Sequence, residues 1–180
     1  MTQELYQKAM KYAGEKHSEQ KVPGTNANYL LHISNVAMEV LMAYQADHNF
    51  DLDFAVQVAV LHDTIEDTTA SFEEIKNEFD DAIAVAVQAL TKNESLPTKE
   101  ERMKDSLARI NALQKEVGLV KIADRITNLQ TPPKHWTKEK IGKYCEEAKL
   151  ISVSLQGKNE YLHHRLNQKI EGYEKNINLT

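Results

Sequence analysis

Cysteine is almost missing from this chain of 180 residues: Cys145 stands alone. That excludes an intramolecular disulfide and a cysteine-built zinc site, and it fits a reducing compartment. Basic charge is not in excess either, with 22 Lys and Arg against 27 Asp and Glu and a formal charge of −5. Without a global basic field the chain is not expected to hold a nucleic-acid backbone, so an anionic partner must be met by local charge. No run approaches the roughly 20 apolar residues that span a bilayer. The opening MTQELYQKAM is polar and amphipathic, unlike the apolar stretch of a signal peptide. The expectation is a soluble cytoplasmic protein with a small-molecule partner, neither nucleic acid nor membrane. No pattern specifies an oligomeric state.

Glycine and proline are also scarce, six and four in all, and apolar residues recur at helical rather than alternating spacing. With 41 % hydrophobic residues the chain can build a sizeable core. The pattern predicts an all-α fold, one domain over residues 1–180, of about nine helices. The first runs from Thr2 to Lys16 and ends in a turn-rich loop, Lys21 to Asn28. The second carries Leu30, Ile33, Ala37, Val40 and Leu41 on one stripe, and the third spans Leu52 to Asp67. Ser71-Phe72-Glu73-Glu74 and Thr98-Lys99-Glu100-Glu101 have the form of capping boxes and open two more helices. Ala82 to Leu90 reads as a buried helix, and the last three run over about 118–130, 137–155 and 159–176.

The third helix ends in LHDTIEDT after an apolar run, crowding His62, Asp63, Glu66 and Asp67 into six positions. Each helical residue advances about 100°, so His62 and Glu66 share a face with Asp63 and Asp67 in the next row. Three carboxylates so close raise one another's pKa unless cations or solvent offset them. A divalent metal is the economical answer; a solvated helix end is the plainer one. His32 lies among Leu30, Leu31 and Ile33, where a hydrogen-bonded core histidine is the alternative to a ligand. Asp124 lies within VKIADRITNL, as a ligand or as a salt-bridge partner of Lys121 or Arg125. His32, His62-Asp63 and Asp124 come from different helices, as a metal site in a bundle core requires. A set of two imidazoles and two carboxylates suits Mn²⁺ or Fe²⁺ better than a structural zinc site, though Zn²⁺ and other divalent ions also bind such donors.

The H…HD…D series resembles the HD superfamily of metal-dependent phosphohydrolases. Within it, HDTIEDT followed by KIADRITNL is similar to the hydrolase half of RelA/SpoT proteins and to stand-alone small alarmone hydrolases. The likeness extends from Ala13–Gln20 through Thr91–Lys104 to Trp136 and the Tyr144 helix. The resemblance implies an HD helical bundle that removes pyrophosphate from the ribose 3′ oxygen of guanosine bis-diphosphate. It implies Mn²⁺ held by His32, His62, Asp63 and Asp124, with Glu66 and Asp67 orienting water and relaying a proton. Asn128 is expected to reach the ribose or the attacking water, and Tyr144 to lie beside the phosphates or sugar, with an ordinary core aromatic as the alternative for Trp136 and Tyr144. Lys16, Lys21, Lys92, Lys99, Arg102 and Lys104 are candidate phosphate contacts, Lys21, Lys99 and Arg102 foremost.

The chain departs from the family at Lys21–Thr25, where a basic stretch is usual, at the residues flanking His32, and at Thr127 and Gln130. These changes spare the ligands and the Glu-Asp pair and fall on residues that grip the diphosphate and base. Two alternatives follow: an HD phosphatase for another phosphorylated nucleotide or dinucleotide, and a non-catalytic helical module holding a structural ion.

Overall fold

A computed structural model describes residues 1–133 and 135–179, with side chains as far as Lys175. Its regular structure is helical: α1 (Thr2–Lys16), α2 (Leu30–Ala46), α3 (Leu52–Leu61), α4 (Thr64–Asp67), α5 (Phe72–Glu78), α6 (Asp81–Leu90), α7 (Lys99–Asn111), α8 (Lys115–Asn128), α9 (Lys138–Ser154) and α10 (Glu160–Leu179). Among the described residues there is no strand beyond an isolated bridge between Lys21 and Asn28. No helix among these residues is long and apolar enough to cross a membrane.

Two helices form the inside. In α3, Ala55, Val56, Val58, Ala59, Val60 and Leu61 are all buried, and α1, α2, α6 and α8 surround it. Along α8 every residue from Val117 to Val120 and from Ile122 to Ile126 is buried, between α2, α3, α6, α7, α9 and α10. Each fully buried Val, Leu or Ile contributes about 1.5–3 kcal/mol. Two candidate ligands therefore belong to buried helices: Asp124 lies within α8 and His62 caps the end of α3.

Helix ends follow the capping chemistry. Thr98 and Glu101 form a reciprocal capping box on α7. At α5 the Ser71 side chain accepts from the Glu74 amide, and the Glu74 carboxylate also pairs with Lys16, 2.5 Å off.

The expected continuous helix from Leu52 to Asp67 is broken. α3 stops at Leu61 and a separate turn begins at Thr64. The His62 ring takes the carbonyl of Ala59 at 2.8 Å and the Thr64 hydroxyl takes that of Leu61 at 2.6 Å. Asp63 sits at φ −101°, ψ 1°, outside the helical well. Side chains that bond nearby carbonyls offer the backbone an alternative to the helical ladder. The break turns Asp63 across to His62 and sends Glu66 and Asp67 to different partners. The expected helices, about nine, thus become ten helical segments among the described residues.

Candidate active site

His32 enters from the first turn of α2, His62 and Asp63 from the broken end of α3, and Asp124 from the buried middle of α8. One donor atom from each lies within 4.8 Å of all the others. His62 Nε2 is 2.9 Å from Asp63 Oδ2 and 3.3 Å from His32 Nε2, and His32 Nε2 is 3.4 Å from Asp124 Oδ1. A carbonyl only accepts, so the Ala59 bond puts the His62 proton on Nδ1 and leaves Nε2 as a lone pair facing the carboxylates. Backbone carbonyls fix ligating histidines in this way. Nitrogen and carboxylate oxygen atoms at these distances need a cation between them, a proton or a metal ion. The donor set, two nitrogens and two oxygens with the His62 tautomer already chosen, fits a divalent metal.

The charges around the cluster say the same. Burial pushes the His62 imidazole down, yet Asp63 beside it outweighs burial and lifts its pKa to about 9. Burial raises Asp63 and Asp124, but His62 and Lys121 respectively pull them below the ordinary carboxylate range. Asp124 is both things its sequence allows: Oδ2 accepts from Lys121 at 3.0 Å while Oδ1 faces the histidines and accepts from Asn128 at 2.5 Å. Asn128 therefore orients a candidate ligand, a role beyond the nucleotide contact expected of it.

Glu66 and Asp67 face the same cavity as Asp63 and Asp124, a space of about 890 Å³. Glu66 is held by Lys92 through both an ion pair and the Lys92 amide at 2.9 Å. Asp67 accepts from Gln20 Nε2 at 2.9 Å, and burial raises its pKa. The acids thus differ: one is matched to a cation, the other is biased toward holding a proton. The cavity walls carry seven basic and seven acidic side chains, so the lining is balanced in formal charge although the chain as a whole is negative.

Of the candidate phosphate contacts, Lys92, Lys99 and Arg102 line the cavity, as do Asn128, Trp136 and Tyr144. Arg102 is engaged by Glu94 and by the carbonyl of Leu96 at 2.8 Å. Lys21 is exposed and outside the lining. Lys16 and Lys104 are paired elsewhere, with Glu74 and Glu100. Trp136 and Tyr144 meet edge to face at 5.3 Å, and Arg125 lies over the Tyr144 ring at 4.4 Å. Sequence reasoning missed Tyr29, whose hydroxyl donates to Asp63 Oδ2 at 2.6 Å. Its signal was a tyrosine one helical turn before His32. It also gave no role to Gln20, which reaches Asp67, or to Lys140 and Lys143, which line the cavity.

The family model for the HD domain matches residues 9–158. The chain belongs to the HD domain family. This HD domain is 31 % identical over 162 residues to a zebrafish (Danio rerio) protein named guanosine-3′,5′-bis(diphosphate) 3′-pyrophosphohydrolase MESH1, covering 87 % of each chain. It is 36 % identical over 130 residues to the guanosine-3′,5′-bis(diphosphate) 3′-pyrophosphohydrolase of Aquifex aeolicus, covering 71 % of this chain and 18 % of that one. A solved structure of a metazoan SpoT orthologue that hydrolyses ppGpp matches it with a TM-score of 0.79 at 26 % identity, over 93 % of this chain and 94 % of the other.

Proposed function

We propose that residues 1–180 act as one HD-type hydrolase unit in the cytoplasm. It removes the 3′-pyrophosphate of guanosine 3′,5′-bis(diphosphate) or a close analogue, with Mn²⁺ as its ion. The observation that carries the reading is a single cavity that presents two kinds of group together. Asp63 and Asp124, backed by His32 and His62, form a divalent-cation donor set, and Glu66 and Asp67 stand beside it without belonging to it. A purely structural metal has no use for two further acids at its open side. The names borne by the relatives give the substrate class.

When bound, the ion supplies Lewis acidity toward a phosphoryl oxygen and makes water a nucleophile near neutral pH. His32, His62, Asp63 and Asp124 hold it, with Tyr29, Lys121 and Asn128 fixing the carboxylates. Glu66, matched to Lys92, orients the attacking water and takes its proton. Asp67 gives a proton to the ribose 3′ oxygen as its bond to phosphorus breaks. The products are the 5′-diphosphate nucleoside and pyrophosphate. Lys99 and Arg102 meet the phosphates, and Trp136 and Tyr144 offer aromatic surface to the nucleoside.

A second substrate reading rests on Lys21, which stands outside the cavity where the family places part of its basic grip. Incubating the Mn²⁺-loaded protein with guanosine bis-diphosphate and a panel of 3′- and 5′-phosphorylated nucleotides and dinucleotides separates the two. Pyrophosphate release from the bis-diphosphate is the expected result. Turnover confined to other members selects the alternative phosphatase, and no turnover of any member rejects both.

A further inference from the structure

The loop between α1 and α2 sends two side chains to the active site, and one buried histidine underlies both. His17, 1 % exposed, lies against the Tyr29 ring with centroids 5.0 Å apart, and its Nδ1 meets the Gln20 side-chain oxygen. Gln20 Nε2 then donates to Asp67 Oδ2 at 2.9 Å, while Tyr29 donates to Asp63. The loop backbone ties the same residues together: the Gln20 amide donates to the His17 carbonyl at 3.0 Å and the Tyr29 amide to that of Gln20 at 2.9 Å. Asn28 Nδ2 donates to the His17 carbonyl at 3.2 Å.

Hydrogen-bond valence gives this chain a direction. A carboxamide has one accepting and one donating end. With its NH₂ on Asp67, Gln20 turns its oxygen to His17, which must supply an N–H from Nδ1. His17 Nε2 is buried with no protein partner, as expected of the bare nitrogen in that tautomer, and burial pushes the ring's pKa down, keeping it neutral. Asp67 Oδ2 accepts that bond. A carbonyl oxygen accepts better than a hydroxyl oxygen, so a proton on Asp67 is favoured on Oδ1, the oxygen that Gln20 does not hold.

We infer that Gln20, locked in orientation by His17, is a positioning residue that directs the acid proton of Asp67 onto the oxygen free to deliver it. The inference rests on the acid role proposed above for Asp67. Gln20 lies outside the cavity lining, so it acts through Asp67 and not on substrate.

A double-mutant cycle on kcat for pyrophosphate release from guanosine bis-diphosphate with Mn²⁺ tests this. Gln20→Leu is expected to lower kcat about tenfold with KM changed less than about twofold, a fraction of the full general-acid effect. In an Asp67→Asn background the same change is expected to cost less than about twofold, because the group it acts through is gone. His17→Phe keeps a ring against Tyr29 but removes the N–H and should mimic part of the Gln20→Leu loss. His17→Asn, which offers an amide N–H where Nδ1 stood, should recover activity relative to His17→Phe. If Asp67→Asn is costly but Gln20→Leu costs the same factor in both backgrounds, the inference falls and the proposed function stands. If Asp67→Asn leaves kcat unchanged, the acid role and the inference fall together.

Discussion

The two sides of the cavity are built differently. On the cluster side, every candidate ligand comes from a buried helix or its end, and each carboxylate is already held: Asp63 by Tyr29, Asp124 by Lys121 and Asn128. On the nucleotide side, Lys99, Arg102, Lys140 and Lys143 come from the outer helices α7 and α9 on long side chains, and Arg102 and Lys143 are paired with Glu94 and Glu139. The first side is preorganised, as chemistry at phosphorus requires, because donors already in place cost no reorganisation. On the second, as proposed above, Arg102 and Lys143 would exchange internal ion pairs for a ligand, which suits binding and release.

Substitutions on the two sides should therefore differ in kind, and the largest effect belongs to the cluster. His62→Ala or Asp124→Ala is expected to lose bound metal, measured by elemental analysis of the purified protein, and to lower kcat/KM by more than about 10³-fold. Retained metal with retained activity would undo the contrast.

Asp67→Asn comes next, lowering kcat by about 10²–10⁴-fold with metal retained. It should also stabilise the protein. Burial raises the folded-state pKa of Asp67, so the carboxyl contributes stability below the ordinary carboxylate pKa of about 3.9 that is lost as pH rises through the folded value. Asparagine escapes that loss and still accepts from Gln20. Thermal melts should show a higher Tm for Asp67→Asn at pH 8 and no gain at pH 3.5, about the ordinary carboxylate range.

Smaller changes are expected on the nucleotide side. Lys99→Ala should raise KM about tenfold with kcat little altered, since a surface charge contributes binding more than chemistry. The smallest effect falls on Lys21→Ala, less than about twofold in kcat/KM, because that side chain lies outside the cavity. A loss as large as that of Lys99→Ala would show the α1–α2 loop closing over the substrate.

The same contrast explains what was legible beforehand. His32, His62, Asp63 and Asp124 could be picked out as candidates from sequence because polar groups inside apolar helical stripes are conspicuous, and the fold brings the four together. The break after Leu61 was not legible: it depends on the His62 ring and the Thr64 hydroxyl competing for carbonyls, a contest that periodicity does not register. Nor could Gln20 or Tyr29 be assigned, since their reach to Asp67 and Asp63 spans sequence separations that only the packing of α1 and α2 on α3 closes. Among the lysines, composition gave no means to tell Lys92 and Lys99 from Lys16 and Lys104, because long flexible side chains find their partners on the surface.

The central claim is that the two sides meet at one phosphorus, where water activated beside the cluster displaces the ribose 3′ oxygen. Turnover of guanosine 3′,5′-bis(diphosphate) in ¹⁸O-labelled water with Mn²⁺, followed by mass spectrometry of both products, tests it directly. The account requires the label in pyrophosphate and none in the nucleotide. Label in the nucleotide, or no turnover by the metal-loaded protein, would contradict it.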